Sequence, residues 1–156
     1  RVEEFFFKAA RALPHCTFVL GGNGWSTKDV PENVRAVGHV FTRDHNAFNC
    51  SAMAVLNINR DSMVANGYSP ATRVFEAAGA GACLITDAWD GIELFLEPGR
   101  EVLVAACGQE VAELLRGLTP GHARTVGAAA RRRLLAEHTY AHRAEQVEAI
   151  LSGVRA

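Results

Sequence analysis

Apolar and polar positions along the chain alternate with two different periods. Val2, Phe5, Phe6, Ala9, Ala10 and Leu13 recur at helical spacing, with Glu3, Glu4, Lys8 and Arg11 between them, and Pro14 ends the run. Thr17–Leu20 reads as a strand closed by the cluster Gly21-Gly22-Asn23-Gly24-Trp25. A polar loop over Ser26–Asn33, with Pro31 in it, leads to a second strand, Val34–Val40. Thr42 is placed to cap a short helix of about Arg43–Ser51, and Ala54–Ile58 is a third, β-branched strand. That strand turns polar at Asn59, Arg60 and Asp61.

The stretch from Asn57 to Gly91 carries the densest signals. Ser62–Tyr68 reads as a loop, with Asn66-Gly67 as its turn. Ser69 can then cap a helix and Pro70 fits its first position, where a missing N–H costs nothing. Val74, Phe75, Ala77 and Ala78 form the apolar side, and Gly79 and Gly81 let the helix end close to a sheet. Ala82–Thr86 is the next strand, ending at Asp87. Beyond it, Asp90–Leu96 predicts a short helix, Glu101–Ala106 a strand and Gln109–Leu118 an amphipathic helix. Pro120-Gly121 reads as a break, and the pattern is helical from His122 to about Leu151. Strands alternating with helices predict an α/β domain with a mainly parallel sheet, helices on both faces and a long C-terminal helical segment. No repeat or low-complexity segment interrupts it.

Composition narrows the class. A chain of 156 residues with 49% hydrophobic content and a net charge of −1 fits one soluble globular domain. It lacks the basic excess of a dedicated nucleic-acid binder. No apolar run approaches membrane-spanning length and no leader pattern is present, so a cytoplasmic location is expected. Cys16, Cys50, Cys83 and Cys107 form no C-x-x-C, and most lie in or beside apolar runs, which predicts buried free thiols. The chain opens on Arg1 inside a helical pattern, as a piece cut from a longer protein would.

In a strand–loop–helix–strand unit, ligands gather at the carboxyl ends of the strands. The N-terminus of the helix that carries Arg73 offers free N–H groups and partial positive charge to an anion such as phosphate. Arg73 adds a fork-shaped donor. Glu76 follows three positions on, on the same face. The competing reading is a plain Arg73–Glu76 pair on a solvated surface. The glycine cluster follows a strand as phosphate loops do, but lacks G-x-G-x-x-G, and in isolation reads as a tight turn carrying an anchoring Trp25. Arg131–Arg133 reads as a solvated face. His138 and His142 lie four apart, but no glutamate follows the first and no third ligand is evident, so they read as structural rather than metal-binding. No G-x-S-x-G elbow marks a serine hydrolase.

One ordered series of residues carries a family resemblance. Ser69-Pro-Ala-Thr-Arg-Val-Phe-Glu-Ala-Ala-Gly-Ala-Gly-Ala, then Ile85-Thr-Asp, Gly91-Ile-Glu and Pro98-Gly-Arg-Glu-Val, resembles the C-terminal half of a GT-B glycosyltransferase. The Glu137-His-Thr-Tyr-x-x-Arg143 ending is most similar to the spore-maturation, CgeB-like branch of the group 1 enzymes. The resemblance spans essentially the whole chain. It implies a Rossmann-like three-layer domain that holds a nucleoside-diphosphate sugar, with a missing N-terminal domain for the acceptor.

By that resemblance Glu76 accepts the donor ribose hydroxyls, and Ser69, Pro70 and Arg73 meet the diphosphate. Gly38, His39 and Val40 lie at the base, and Gly22, Gly24 and Trp25 border the cleft. Many members carry a second glutamate eight positions before the first, on the donor sugar. Here that position is Tyr68, with Asn59, Arg60 and Asp61 as the nearby polar groups. No catalytic residue is assigned. No metal or cofactor is expected, because protein positive charge can balance the diphosphate. Two other classes stay open. One is a non-catalytic nucleotide-binding or scaffold module; the other, weaker for want of an early acidic pair beside Asp87, is a receiver-like signalling domain.

Overall fold

Three short, mainly apolar strands build the centre of the molecule: β3 (Val55–Asn57), β4 (Leu84–Asp87) and β5 (Leu103–Ala105). The computed structural model, which describes residues 1–25 and 29–153, pairs all three in parallel in the order β3-β4-β5. Leu56 lies opposite Ile85, and Ile85 opposite Leu103. Successive side chains on a strand point to opposite faces, so the sheet feeds two separate cores. Ile85, Leu103 and Ala105 join Phe5, Ala9, Val111 and Val126 on one face. Leu84 and Val102 join Val74, Ala77, Ala78, Trp89 and Ala130 on the other. Burying each such Leu, Ile or Val contributes about 1.5–3 kcal/mol. The result is the expected three-layer α/β arrangement.

The helices supply both coats. On the first face lie the opening helix, a wide π-type turn over Glu3–Phe7 continued by α1 (Lys8–Ala12), and α5 (Gly108–Gly117). They approach so closely that a Cβ on Gly108 would stand 2.2 Å from the Glu4 carbonyl oxygen. On the second face lies α4 (Thr72–Ala80). The long α6 (Pro120–Glu137) serves both, through Ala123 and Val126 on one side and Ala130 on the other. It touches the turn after α4 at Gly127, where a Cβ would meet the Gly81 carbonyl oxygen at 2.1 Å. A second parallel pair, β1 (Phe18–Gly21) with β2 (Val34–Gly38), stands before α2 (His45–Cys50). The Phe18 ring meets Phe6 edge-on at 5.5 Å. Asn33 Nδ2 donates to the carbonyls of Ala10, Leu13 and Cys16, which fixes the opening helix to the start of β2.

Several expectations need correction. Ser62–Tyr68 is not a loop: α3 (Asp61–Asn66) occupies most of it, with Val64 packed on the second core. The Asn66-Gly67 signal marks the end of that helix, where Gly67 has φ 63. Ser69 caps nothing and Pro70 is not the first helical residue, because α4 starts two positions later with Ala71 at its N-cap. The reason lies upstream: Tyr68 turns the chain at φ 50 and gives its N–H to the Asp90 carbonyl, leaving Ser69–Ala71 outside the helix.

Thr42 does not cap α2 either; it begins a short 3-10 turn, Thr42–Asp44, that runs into it. Asp90–Leu96 shrinks to a 3-10 turn over Ile92–Leu94. Pro120-Gly121 is no break. Thr119 accepts from His122 N at 3.1 Å, and Pro120 opens α6 with its fixed φ already helical. The real interruption falls at His138-Thr139, where Thr139 and His142 exchange capping bonds and start α7 (Tyr140–Leu151). The polar loop expected over Ser26–Asn33 lies partly outside the described residues.

The thiols also divide. All four are unpaired, but Cys16 and Cys50 are exposed and Cys107 is half-buried, so only Cys83 matches the buried expectation. Burial pushes its thiol up to about 11. No helix among the described residues is long and apolar enough to cross a membrane.

Candidate functional site

The strand ends converge on one edge. β3, β4 and β5 are parallel, so Asn57, Asp87 and Ala105 lie at the same side, as do Gly21 and Gly38 in the other pair. Helices α2 and α4 relate the two sheets. They run side by side in the same direction, with His45 beside Glu76 and Cys50 Sγ bonded to the Ala80 carbonyl at 3.2 Å. Each helix follows the carboxyl end of a strand, so both sets of strand ends face the same way.

On the β1–β2 side, the glycines do the joining. Gly22 adopts φ 103 and donates its N–H to the Gly38 carbonyl at 2.6 Å, tying the two strand ends together. Gly38 itself turns at φ 71. Trp25 Nε1 donates back to the Gly21 carbonyl at 3.2 Å, so the tryptophan does anchor the turn. Gly24, at φ 86, faces open space. His39 is exposed and stacks edge-on against Phe41 at 4.7 Å. Val40 packs against Gly21, where an added Cβ would come within 3.0 Å of Val40 Cγ2.

On the α4 side the N-terminus is open. No side chain caps it, so the N–H groups of its first turn keep their partial positive charge unanswered by the protein's own side chains. Arg73 is exposed in that turn and has no side-chain partner among the described residues. The surface pair with Glu76, the competing reading of these two residues, is not formed. Glu76 instead lies 3.9 Å from Nδ1 of His45. The other ring nitrogen, Nε2, is 3.2 Å from the Val40 carbonyl oxygen. One imidazole therefore spans from the end of the β2 connection at Val40 to Glu76 on α4.

The ends of β3 and β4 hold a buried polar network that the sequence reading missed. Asn57 Nδ2 donates to both Asn59 Oδ1 and Thr86 Oγ1 at 3.1 Å. Asp87, fully buried, accepts from the Asn59 backbone N–H at 3.0 Å and pairs with the Arg1 guanidinium, which also reaches Asp61 at 3.3 Å. Trp89 Nε1 points at Thr86 Oγ1 at 3.4 Å. Asn57 and Asn59 are two apart on an extended chain, so both amides share a face; that spacing was the readable signal. The network fixes the turn that carries Arg60 outward, exposed, immediately before α3.

Tyr68 is 66% exposed and lies over Gly91, where a Cβ would meet its ring at 2.6 Å. Ser69 and Pro70 continue from it, half-buried, to the start of α4. The structure thus joins Gly22 to Gly38 by a backbone bond and Val40 to Glu76 through His45. It sets Asn59, Arg60 and Tyr68 in the connection between β3 and α4, and leaves Arg73 projecting from the helix start. The two C-terminal histidines are structural: His138 Nδ1 contacts Arg143 Nη2 at 2.5 Å and His142 completes the cap of α7. Among the described residues no group of three His, Cys, Asp or Glu could hold a metal.

A parallel α/β domain with an uncapped helix N-terminus and a carboxylate at its strand ends has the form of a nucleotide-sugar-binding unit. The family model described as glycosyl transferase-like matches residues 1–149, and the chain belongs to that family. No curated protein matches it. Among solved structures it is similar to HepE from Anabaena in complex with UDP-glucose, with a TM-score of 0.71 at 15% identity. It is also similar to sucrose-phosphate synthase from Thermosynechococcus elongatus, with a TM-score of 0.70 at 18% identity. AviGT4, a glycosyltransferase involved in avilamycin A biosynthesis, gives 0.62 at 21%. Each alignment covers 94% of this chain but only 44%, 40% and 47% of those chains respectively. The chain therefore spans less than half the length of these relatives.

Proposed function

We propose that this chain is the donor-binding half of a glycosyltransferase that moves a sugar from a nucleoside-diphosphate sugar to an acceptor. The observation that carries the reading is the open α4 N-terminus, with Arg73 in its first turn and Glu76 held near Val40 by His45. The helix N–H groups and Arg73 bind the diphosphate and stabilise the negative charge that grows on it as the bond to the sugar breaks. Glu76 accepts two adjacent ribose hydroxyls with its two carboxylate oxygens. Gly38, His39 and Val40 lie against the base, and Gly22, Gly24 and Trp25 border the cleft. Asn59, Arg60 and Tyr68 reach the sugar end, and Ser69 and Pro70 deliver the chain to the diphosphate.

The acceptor belongs to a second, N-terminal domain of a longer protein. Two observations support that extension. The solved relatives are more than twice as long as the part aligned here. Helix α7 also presents Tyr140, Val147, Ile150 and Leu151 to solvent, with Tyr140 90% and Leu151 81% exposed, and apolar surface of this kind is stabilised when another surface covers it. The Glu137–Arg143 ending supports the CgeB-like branch, and four free thiols together with a nucleotide donor support a cytoplasmic location.

Because the HepE complexes contain UDP-glucose, or UDP and glucose, uridine ligands are the first to test. A ligand at a hundred times its Kd stabilises the folded state by about 2.7 kcal/mol. In a domain of this size that raises Tm by roughly 5–10 °C. UDP and UDP-glucose are expected to produce such a shift, while the chain alone transfers no sugar. Failure of the uridine, guanosine, adenosine and thymidine diphosphates alike to move Tm at millimolar concentration would overturn the proposal.

A further inference from the structure

We infer that His45 is a positioning residue that fixes the Glu76 carboxylate for the ribose and couples it to the strand end that meets the base. The inference rests on the donor-binding reading above. Glu76 sits on an exposed helix surface, where a free glutamate side chain samples many rotamers and loses them on binding. His45 removes much of that freedom. Its Nε2 lies 3.2 Å from the Val40 carbonyl oxygen, and a carbonyl only accepts, so Nε2 carries a proton. Its Nδ1 then faces Glu76 Oε2 at 3.9 Å.

When Nδ1 also carries a proton, the ring donates to the carbonyl on one side and opposes the carboxylate with a positive charge on the other. One carboxylate oxygen is engaged in this way, and the other side of the group stays open to ligand hydroxyls. The ring itself is held at the very start of α2, where Cys50 Sγ ties the helix's far end to the Ala80 carbonyl. The other charged groups on the packed elements are Arg43 and Asp44, paired with each other at 3.5 Å, and Arg73 on α4. None of them links Val40 to Glu76, so the bridge belongs to His45.

The test uses the 156-residue chain, UDP and its 2′,3′-dideoxy analogue, with calorimetry as the readout. The ratio of the two affinities isolates the ribose hydroxyls from the diphosphate and the base. In the wild type this ratio is expected to be about ten- to a hundredfold, the size of a charge-assisted hydrogen bond. Glu76→Ala should bring it close to one. His45→Ala should lower it by roughly three- to tenfold, and the double variant should lose no more than Glu76→Ala alone, because the two groups act as a unit. His45→Asn, which sets an amide N–H near the place of Nδ1, should recover part of the loss.

A merely structural histidine would change stability and both affinities together, leaving the ratio where it was. That result, or additive losses in the double variant, overturns the inference. If Glu76→Ala itself leaves the ratio intact, the ribose assignment fails and takes this inference with it. If Glu76→Ala abolishes the ratio and His45→Ala does not touch it, only the positioning claim falls.

Discussion

The β3–β5 sheet and the β1–β2 pair use the same parallel strand chemistry but bury it to different depths. All four residues of β4 are buried, and a full core lies on each face. In β2 the middle residues Arg35, Ala36 and Val37 are exposed, and Val19 of β1 is 40% exposed. The pair rests chiefly on the opening helix through Phe18 and Asn33. The candidate site straddles this difference. Helix α4, to which the proposal assigns the diphosphate and the ribose, is rooted in the deep core by Val74, Ala77 and Ala78, all fully buried. Gly38–Val40, which the proposal sets against the base, stand on the lightly packed unit; the Gly22–Gly38 bond joins its two strand ends, and His45 ties Val40 across to Glu76. Under the proposal, the invariant part of a nucleotide ligand meets the firmer part of the fold.

Core truncation gives the largest expected contrast. Leu84→Ala should cost about 2–5 kcal/mol, because it removes buried methyl groups and leaves a cavity between packed layers. Val37→Ala, at an exposed strand position, should stay within about 0.5 kcal/mol. Urea denaturation of both variants checks the contrast, and equal losses would mean that the two sheets share one depth of packing. A smaller effect sharpens the picture at the α6 crossing. Gly127→Ala should cost about 1–3 kcal/mol, since its methyl group would press on backbone at Gly81 that cannot swing aside. Gly117→Ala, at the end of α5 with nothing within 4 Å of the new Cβ, should be neutral or stabilising by about 0.4–1 kcal/mol.

The smallest effect concerns pH. Burial, and then the nearby Arg143 charge, push the His138 pKa below its ordinary 6.5. The unfolded chain therefore takes up a proton that the folded chain refuses. Stability from this group is complete above about pH 6.5 and is lost as pH falls from there toward the lower folded-state value. Denaturation at a series of pH values should show a modest decline through that window in the wild type. In His138→Gln this part of the decline should be absent.

How much of this was legible depended on whether a signal was local. The apolar runs within Ala82–Thr86 and Glu101–Ala106 announced buried strands, and the helical spacing of Val74, Ala77 and Ala78 announced the face that α4 buries. Helix starts were less readable, because tertiary contacts moved them. Tyr68 gives its N–H to Asp90, 22 positions on by chain numbering, and that bond displaced the start of α4 beyond Ser69 and Pro70. Pro120 gave the opposite error: the residue that ends helices in mid-run also begins them, and Thr119 beside it was the deciding cap. Arg73 and Glu76 could be singled out because they share one helix with a family motif. His45 was not, since only the packing of α2 on α4 brings it to Glu76. Asp87 was seen as a strand end, but its partners Arg1 and Asn59 come from distant parts of the chain.

The central claim is that the open start of α4 holds a diphosphate, and Arg73 gives the most direct access to it. Titration calorimetry of the wild type and Arg73→Ala with UDP and with uridine compares a ligand that carries the diphosphate with one that lacks it. Loss of a charge-assisted hydrogen bond weakens binding by about ten- to a hundredfold. The account predicts a loss of that size for UDP and little change for uridine. Unchanged UDP affinity in a folded Arg73→Ala chain would contradict it.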